Sequence, residues 1–295
     1  MKFDRRIALF ILIIFIPAIL ISRTFLWTNG IDISTGFYLD NTTVIQTVYR
    51  TIVAVAIIFV ILIVFLGKSF VKKANEEELV NPYKADLLLL SSQASIFFGT
   101  LAAIMAFLLF MFSANEIFGN KNISTIKMVE YISMLASALV FGILAVRQYL
   151  GRAINKGLGY SMLIPAIWIT IRSALIFKNF IIITSKSQNL LTMLFVLSWL
   201  IFIVEFARLY SGFEKKSTRP VLVIMGIMTF IFGIAETLPV YIFMIKYPNT
   251  SLPFESNMLL IDFSMSLFAI GAVAQLLGPN IKVKQEPLKE ADVKE

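Results

Sequence analysis

Eight apolar runs, each able to hold a helix of about 20 residues, recur along this chain: approximately 7–22, 48–66, 87–112, 128–147, 161–180, 190–210, 220–245 and 257–277. A helix of that length rises about 30 Å, the thickness of the hydrocarbon core of a bilayer. In hydrocarbon every backbone N–H and C=O must be paired within its own segment, which favours the helix. The expected fold is therefore all-α, a polytopic transmembrane helix bundle of about eight spans. Composition agrees, with 58% hydrophobic residues and only 15% charged, where a soluble domain carries about a quarter charged.

One helix-bundle domain is expected over 1–280, followed by a polar cytoplasmic tail at 281–295. The longest outer loop, 23–47, reads as a short hairpin. The first run follows the basic stretch MKFDRR, and no small-x-small cleavage site follows PAILIS, so it reads as an uncleaved anchor. Placing the N-terminus in the cytoplasm puts 18 of the 26 Lys and Arg on the inner side and 7 on the outer, with Arg172 inside a span. That asymmetry predicts both termini cytoplasmic in a multi-pass protein of the cell membrane. The net charge of +8 is then mainly a topology signal. Nucleic-acid binding has no support, because no basic patch is interleaved with aromatics on a folded surface. The expected partner is the lipid bilayer; a small-molecule ligand stays open, and no protein partner is legible.

Cysteine and histidine are both absent. This excludes disulfides, thiol nucleophiles, thiolate or imidazole metal sites and any Ser-His or Cys-His pair. Intramembrane aspartyl proteolysis needs two embedded aspartates, and only Asp262, in LIDFSM, qualifies. The expectation is no enzyme: no catalytic residue, no metal and no cofactor.

Four ionisable residues fall within the runs: Arg172, Glu205, Glu236 and Asp262. Glu205 lies near the cytoplasmic end of the sixth, and Arg208 three residues on is its helical neighbour. The other three sit deeper, at similar depth in the outer half of the fifth, seventh and eighth runs. An unpaired charge there costs at least ~2.5–3.5 kcal/mol by insertion scales. Helical phase turns each inward. Gly226, Gly233 and Glu236 share one stripe; Asp262, Ser266 and Ala269 share another; Ser161, Pro165, Trp168, Arg172 and Asn179 a third. Small residues on such stripes let helices approach closely. The reading is that Glu236 compensates Arg172, with Asp262 as competitor or third member. The trio is either a structural ion pair or a ligand site. Trp168, Glu130 and Ser266 are candidate pocket-lining residues, although Glu130 lies only a turn from the outer surface, where water would reach it. Pro239, one turn beyond Glu236, frees the Ala235 carbonyl. A four-residue stripe, Ser91, Ser95, Gly99 and Ala103, predicts a close-packed seam on the third run, which Ser133 and Ser137 could complement.

The outer loop carries GIDISTGFYLDN at 30–41. Asp32 can accept from following amides and Gly36 can close a turn. Asp32, Thr35, Gly36, Phe37 and Tyr38, directly after a first span, resemble uncharacterised multi-spanning membrane proteins of Gram-positive bacteria. The resemblance implies a multi-pass cell-membrane location and brings no activity with it.

Two classes of function remain. One is binding or transport of a small solute or ion through a polar site of Arg172, Glu236 and Asp262. The other is a membrane accessory, sensory or assembly subunit in which the same charges only lock the bundle. The orientation is testable directly, since the chain has no natural cysteine. Ser34→Cys should react with an impermeant maleimide on intact cells; labelling only after lysis would reverse the topology.

Overall fold

The computed structural model describes residues 5–32, 39, 42–66, 92–119, 123–152, 154–182, 187–215, 217–248 and 257–277. They are almost entirely helical, with no β-strand among the described residues. The helices are α1 (Arg5–Asn29), α2 (Thr43–Leu66), α3 (Ser92–Gly119), α4 (Thr125–Tyr149), α5 (Lys156–Ser161), α6 (Leu163–Ile182), α7 (Ser187–Ser211), α8 (Thr218–Lys246) and α9 (Asn257–Leu277). Apart from α5, every one has at least 20 residues. Six segments among the described residues are long and apolar enough to cross a membrane, α5 and α6 together forming one. A shorter apolar stretch, Met258–Ala274, belongs to α9. The chain is thus an all-α polytopic bundle and an integral membrane protein.

Helices outrun the apolar stretches that announce them. α1 continues to Asn29, seven residues past the expected end at Ser22, and α3 continues from the expected 112 to Gly119. The i→i−4 ladder stays satisfied where the helix leaves hydrocarbon, so polarity alone does not end it. The outer loop shrinks accordingly. Leu39 N donates to Gly30 O at 2.9 Å, and Thr42 N to Leu39 O at 3.0 Å, closing its two ends together. The turn expected over 33–38, the seam residue Ser91, and the side chains of Ser95 and Asn179 lie outside the described residues.

The fifth span is interrupted between Ser161 and Leu163. Pro165 explains the position: its ring crowds the carbonyl four residues back, that of Ser161, and it has no N–H to bond there. The short α5 starts on a cap, Asn155 Oδ1 accepting from Leu158 N at 3.0 Å. Pro17 and Pro239 lie within α1 and α8, which continue through them.

Six helices pack as a closed ring, in the order α3, α4, α6, α7, α8, α9 and back to α3. α1 and α2 dock outside it on α8. The ring interior has two halves. Phe268 of α9 is the hub of an aromatic plug, with ring centroids 4.8 Å from Phe98, 5.2 Å from Phe141, 5.9 Å from Trp199 and 6.0 Å from Phe206. Asp262 lies six residues earlier on α9, about 9 Å away along the axis, and the charged residues gather in that other half. The ring's outer surface is apolar, as lipid requires: Leu139 is 63% exposed and Phe107 62%.

Glycine sets the close approaches. A Cβ on Gly99 would stand 3.1 Å from Gln148 Cβ, so the predicted seam faces α4. On Gly226 it would press on Val273 of α9 and Phe202 of α7, and on Gly233 it would overlap the Ser266 hydroxyl. On Gly159 it would lie 2.6 Å from the backbone at Tyr210 and Ser211, where no flexible side chain can give way. On Gly157 the first neighbour is Asn155 Nδ2 at 3.9 Å. Gly159→Ala should therefore destabilise by about 1–3 kcal/mol, whereas Gly157→Ala should be neutral or stabilising by up to about 1 kcal/mol. Thermal unfolding of both variants in detergent measures the contrast; equal melting temperatures would refute the α5–α7 contact.

Candidate functional site

Two prolonged requirements meet at the site: hydrocarbon-facing helices cannot bury a lone charge, and the ring interior buries several. Arg172 is 5% exposed on α6, Glu236 2% on α8 and Asp262 1% on α9. α6 and α9 turn exposed residues such as Ile167 and Leu260 away from the ring, whereas the outer side of α8 is covered by α1 and α2.

Arg172 pairs with Asp262. Nη1 donates to Oδ1 at 2.5 Å and Nη2 to Oδ2 at 2.7 Å, a bidentate fork in which both carboxylate oxygens are used. The expected partner, Glu236, is not the one that binds the guanidinium. Glu236 sits on the side of α8 that faces α7, and its Oε1 accepts from the Thr192 hydroxyl. A second link, Thr229 Oγ1 to Ser198 Oγ at 3.1 Å, ties the same two helices one and a half to two turns away. α8 is thus committed to α7 along this edge, while α9 presents Asp262 across the ring. The backbones of α6 and α9 do not pack along one another. The length of the arginine side chain bridges them.

The charges around this pair form one electrostatic unit. Arg172 feels Asp262, Glu236 and Glu130. Glu236 feels Asp262, Arg172 and Arg23. Five helices contribute: α1, α4, α6, α8 and α9. Two of these members depart from expectation. Glu130, read as solvated, is buried at 6% exposure, because α4 turns it toward Arg172 rather than outward. Arg23, read as an outer-loop residue, lies inside α1 at 1% exposure, with its guanidinium carbon 5.3 Å from the centre of the Tyr49 ring. α1 itself packs on α8, where the tilted rings of Trp27 and Phe243 lie 5.7 Å apart.

Ser266 is buried, but its hydroxyl donates to the Asp262 carbonyl at 2.7 Å, so it serves its own helix. Trp168 is fully buried one turn from Arg172, and its indole N–H has no hydrogen-bond partner among the described residues; the same holds for Trp199 in the aromatic plug. Glu205 and Arg208 pair at 2.5 Å as the spacing predicts. Ser137 donates to the Ser133 carbonyl at 2.7 Å, and Ser133 to that of Glu130 at 2.8 Å. Among the described residues no group of three acidic side chains is arranged to hold a metal ion. Thr192 went unnoticed in the sequence, where one threonine in an apolar helix carries no signal. Arg23 had one: extending the first helix by a single residue makes it an intramembrane charge.

Comparison of the chain with family models, with curated proteins and with solved structures returns no match.

The two carboxylates should respond unequally. Asp262→Asn leaves Arg172 buried against a neutral amide and should cost about 3–5 kcal/mol. Glu236→Gln keeps an acceptor for Thr192 and should cost less than half of that. Chemical or thermal unfolding of both variants in detergent checks the order, and a larger loss for Glu236→Gln would contradict the pairing.

Proposed function

We propose that this integral membrane protein binds a small charged solute or ion in the charged half of the helix ring and moves it across the cell membrane, with both termini cytoplasmic. The observation that carries this reading is the gathering of buried ionisable groups around one pair. Arg172 and Asp262 meet in a bidentate contact. Glu236 and Glu130 lie within the field of Arg172, and Arg23 within that of Glu236, all of them buried. Each charge taken into the bilayer carries a desolvation penalty, and ionisable groups clustered inside membranes mark substrate and ion pathways.

The arrangement suits exchange of partners. An anionic group entering from the outer side competes with Asp262 for the Arg172 fork; a cation competes with Arg172 for Asp262 and Glu236. The Trp168 N–H is a further donor one turn away. The aromatic plug around Phe268 closes the inner half of the ring, as an occluded carrier needs in one of its states. Alternating access would require that plug to part.

The second reading, an accessory or sensory subunit with a purely structural lock, draws on the enclosure of the Arg172–Asp262 pair. Proteoliposomes on a solid-supported membrane separate the two. Concentration jumps of protons, chloride, phosphate, acetate and sodium should evoke a transient current from the wild type for at least one probe. The paired apolar variant Arg172→Leu with Asp262→Leu should fold and give none. Silence of the wild type toward the whole series, or equal currents in both proteins, favours the structural reading.

A further inference from the structure

A groove of about 560 Å³ runs between α3 and α4, away from the charged cluster. Ala106, Ala138 and Gly142 form its floor, and Phe110 and Leu139 stand at its sides. Its far end is formed by Leu150 with Arg147 and Arg152. The floor exists because these are small residues: a Cβ on Gly142 would lie 4.0 Å from the Ala106 Cβ, so a larger side chain there would grow into the groove, not into backbone. The walls are lipid-facing, with Leu139 63% and Phe110 49% exposed.

We propose that this groove holds one acyl chain of an anionic phospholipid, whose phosphate is bound by Arg147 and Arg152. Three features support that occupant. The first is length. From Leu139 to Leu150 the helix rises about 16 Å, half of the ~30 Å hydrocarbon core and hence the reach of one leaflet's acyl chains. The second is polarity. The lining is apolar along its course and gains two guanidiniums at one end only, the order of groups in a phospholipid. Arg147 stands in the last turn of α4, and Arg152 is exposed just beyond it. Guanidinium forks match phosphate oxygens, and basic pockets between spanning helices bind anionic headgroups. The third is access. The residues beside the floor are exposed, Phe110 at 49% and Leu139 at 63%, so an acyl chain can enter the groove sideways from the surrounding bilayer.

The anionic headgroup is favoured over a zwitterionic one by charge. Two cations meet a net negative phosphate, whereas a choline or ethanolamine group brings a compensating positive charge to the same place. This site is independent of the transport reading, since it uses neither the Arg172 cluster nor the ring interior.

Native mass spectrometry of the full-length protein, released from detergent with equal phosphatidylglycerol and phosphatidylcholine, tests the proposal. The wild type should retain phosphatidylglycerol at least five-fold more than phosphatidylcholine. Arg147→Gln with Arg152→Gln should abolish the preference. Gly142→Leu, which fills the floor and leaves both arginines, should reduce retention of either lipid several-fold while the melting temperature stays within a few degrees of wild type. Equal retention of the two lipids by the wild type would overturn the proposal. So would unchanged retention in Gly142→Leu, or full displacement of phosphatidylglycerol by millimolar inorganic phosphate, which would assign the arginines to a free anion. A dimer that dissociates in Gly142→Leu would give the groove to a second copy instead.

Discussion

The Arg172–Asp262 fork fixes how two helices of the ring are turned, because it joins α6 and α9, whose backbones do not pack along one another. Most of the ring is held by neighbours: α3 on α4, α7 on α8, α8 on α9. Such contacts are mainly van der Waals packing, for which lipid competes on nearly equal terms, with the Thr192–Glu236 and Thr229–Ser198 hydrogen bonds added between α7 and α8. A buried guanidinium–carboxylate pair is different. Neither member can turn to lipid without a desolvation cost of several kcal/mol, so the pair specifies which faces of α6 and α9 look inward. Its worth lies more in specification than in net stability, since a well-packed apolar replacement can be equally stable.

From that constraint follows the division of the ring interior. Charges occupy one half because a buried charge is least costly beside one of opposite sign. Glu130 and Glu236 share the field of the pair, Arg23 acts on Glu236 from α1 outside the ring, and Thr192 supplies Glu236 with a hydroxyl. The other half is filled by Phe268 and its aromatic neighbours, which have no polar group to satisfy except the indole N–H of Trp199. The glycines of α8 make both halves possible. Gly226 admits Phe202 of α7 and Val273 of α9 in the aromatic half, and Gly233 admits Ser266 of α9 and Phe195 of α7 one turn from Glu236.

The sequence made much of this legible and hid the rest for identifiable reasons. Apolar runs announced the long helices, since a bilayer imposes a minimum length. The small-residue stripe at Gly226 and Gly233 was readable from helical period, as was the Glu205–Arg208 neighbour pair. Partner choice was not. Arg172, Glu236 and Asp262 lie on three helices, and which carboxylate reaches the guanidinium depends on ring order, which no spacing within a helix encodes. Arg23 and Glu130 were misplaced because hydropathy marks where hydrocarbon ends, not where a helix or its buried face ends. The break at Met162 was available in principle, since it falls within one turn ahead of Pro165.

The central claim is that Asp262, not Glu236, is the energetic partner of Arg172. Two double-mutant cycles on unfolding in detergent address it most directly, one pairing Arg172→Leu with Asp262→Leu and the other pairing Arg172→Leu with Glu236→Leu. The account predicts a coupling energy of about 2–3 kcal/mol in the first cycle, within the range for groups in contact, and less than about 1 kcal/mol in the second. A first cycle that is additive, or a second that is the larger, would contradict it.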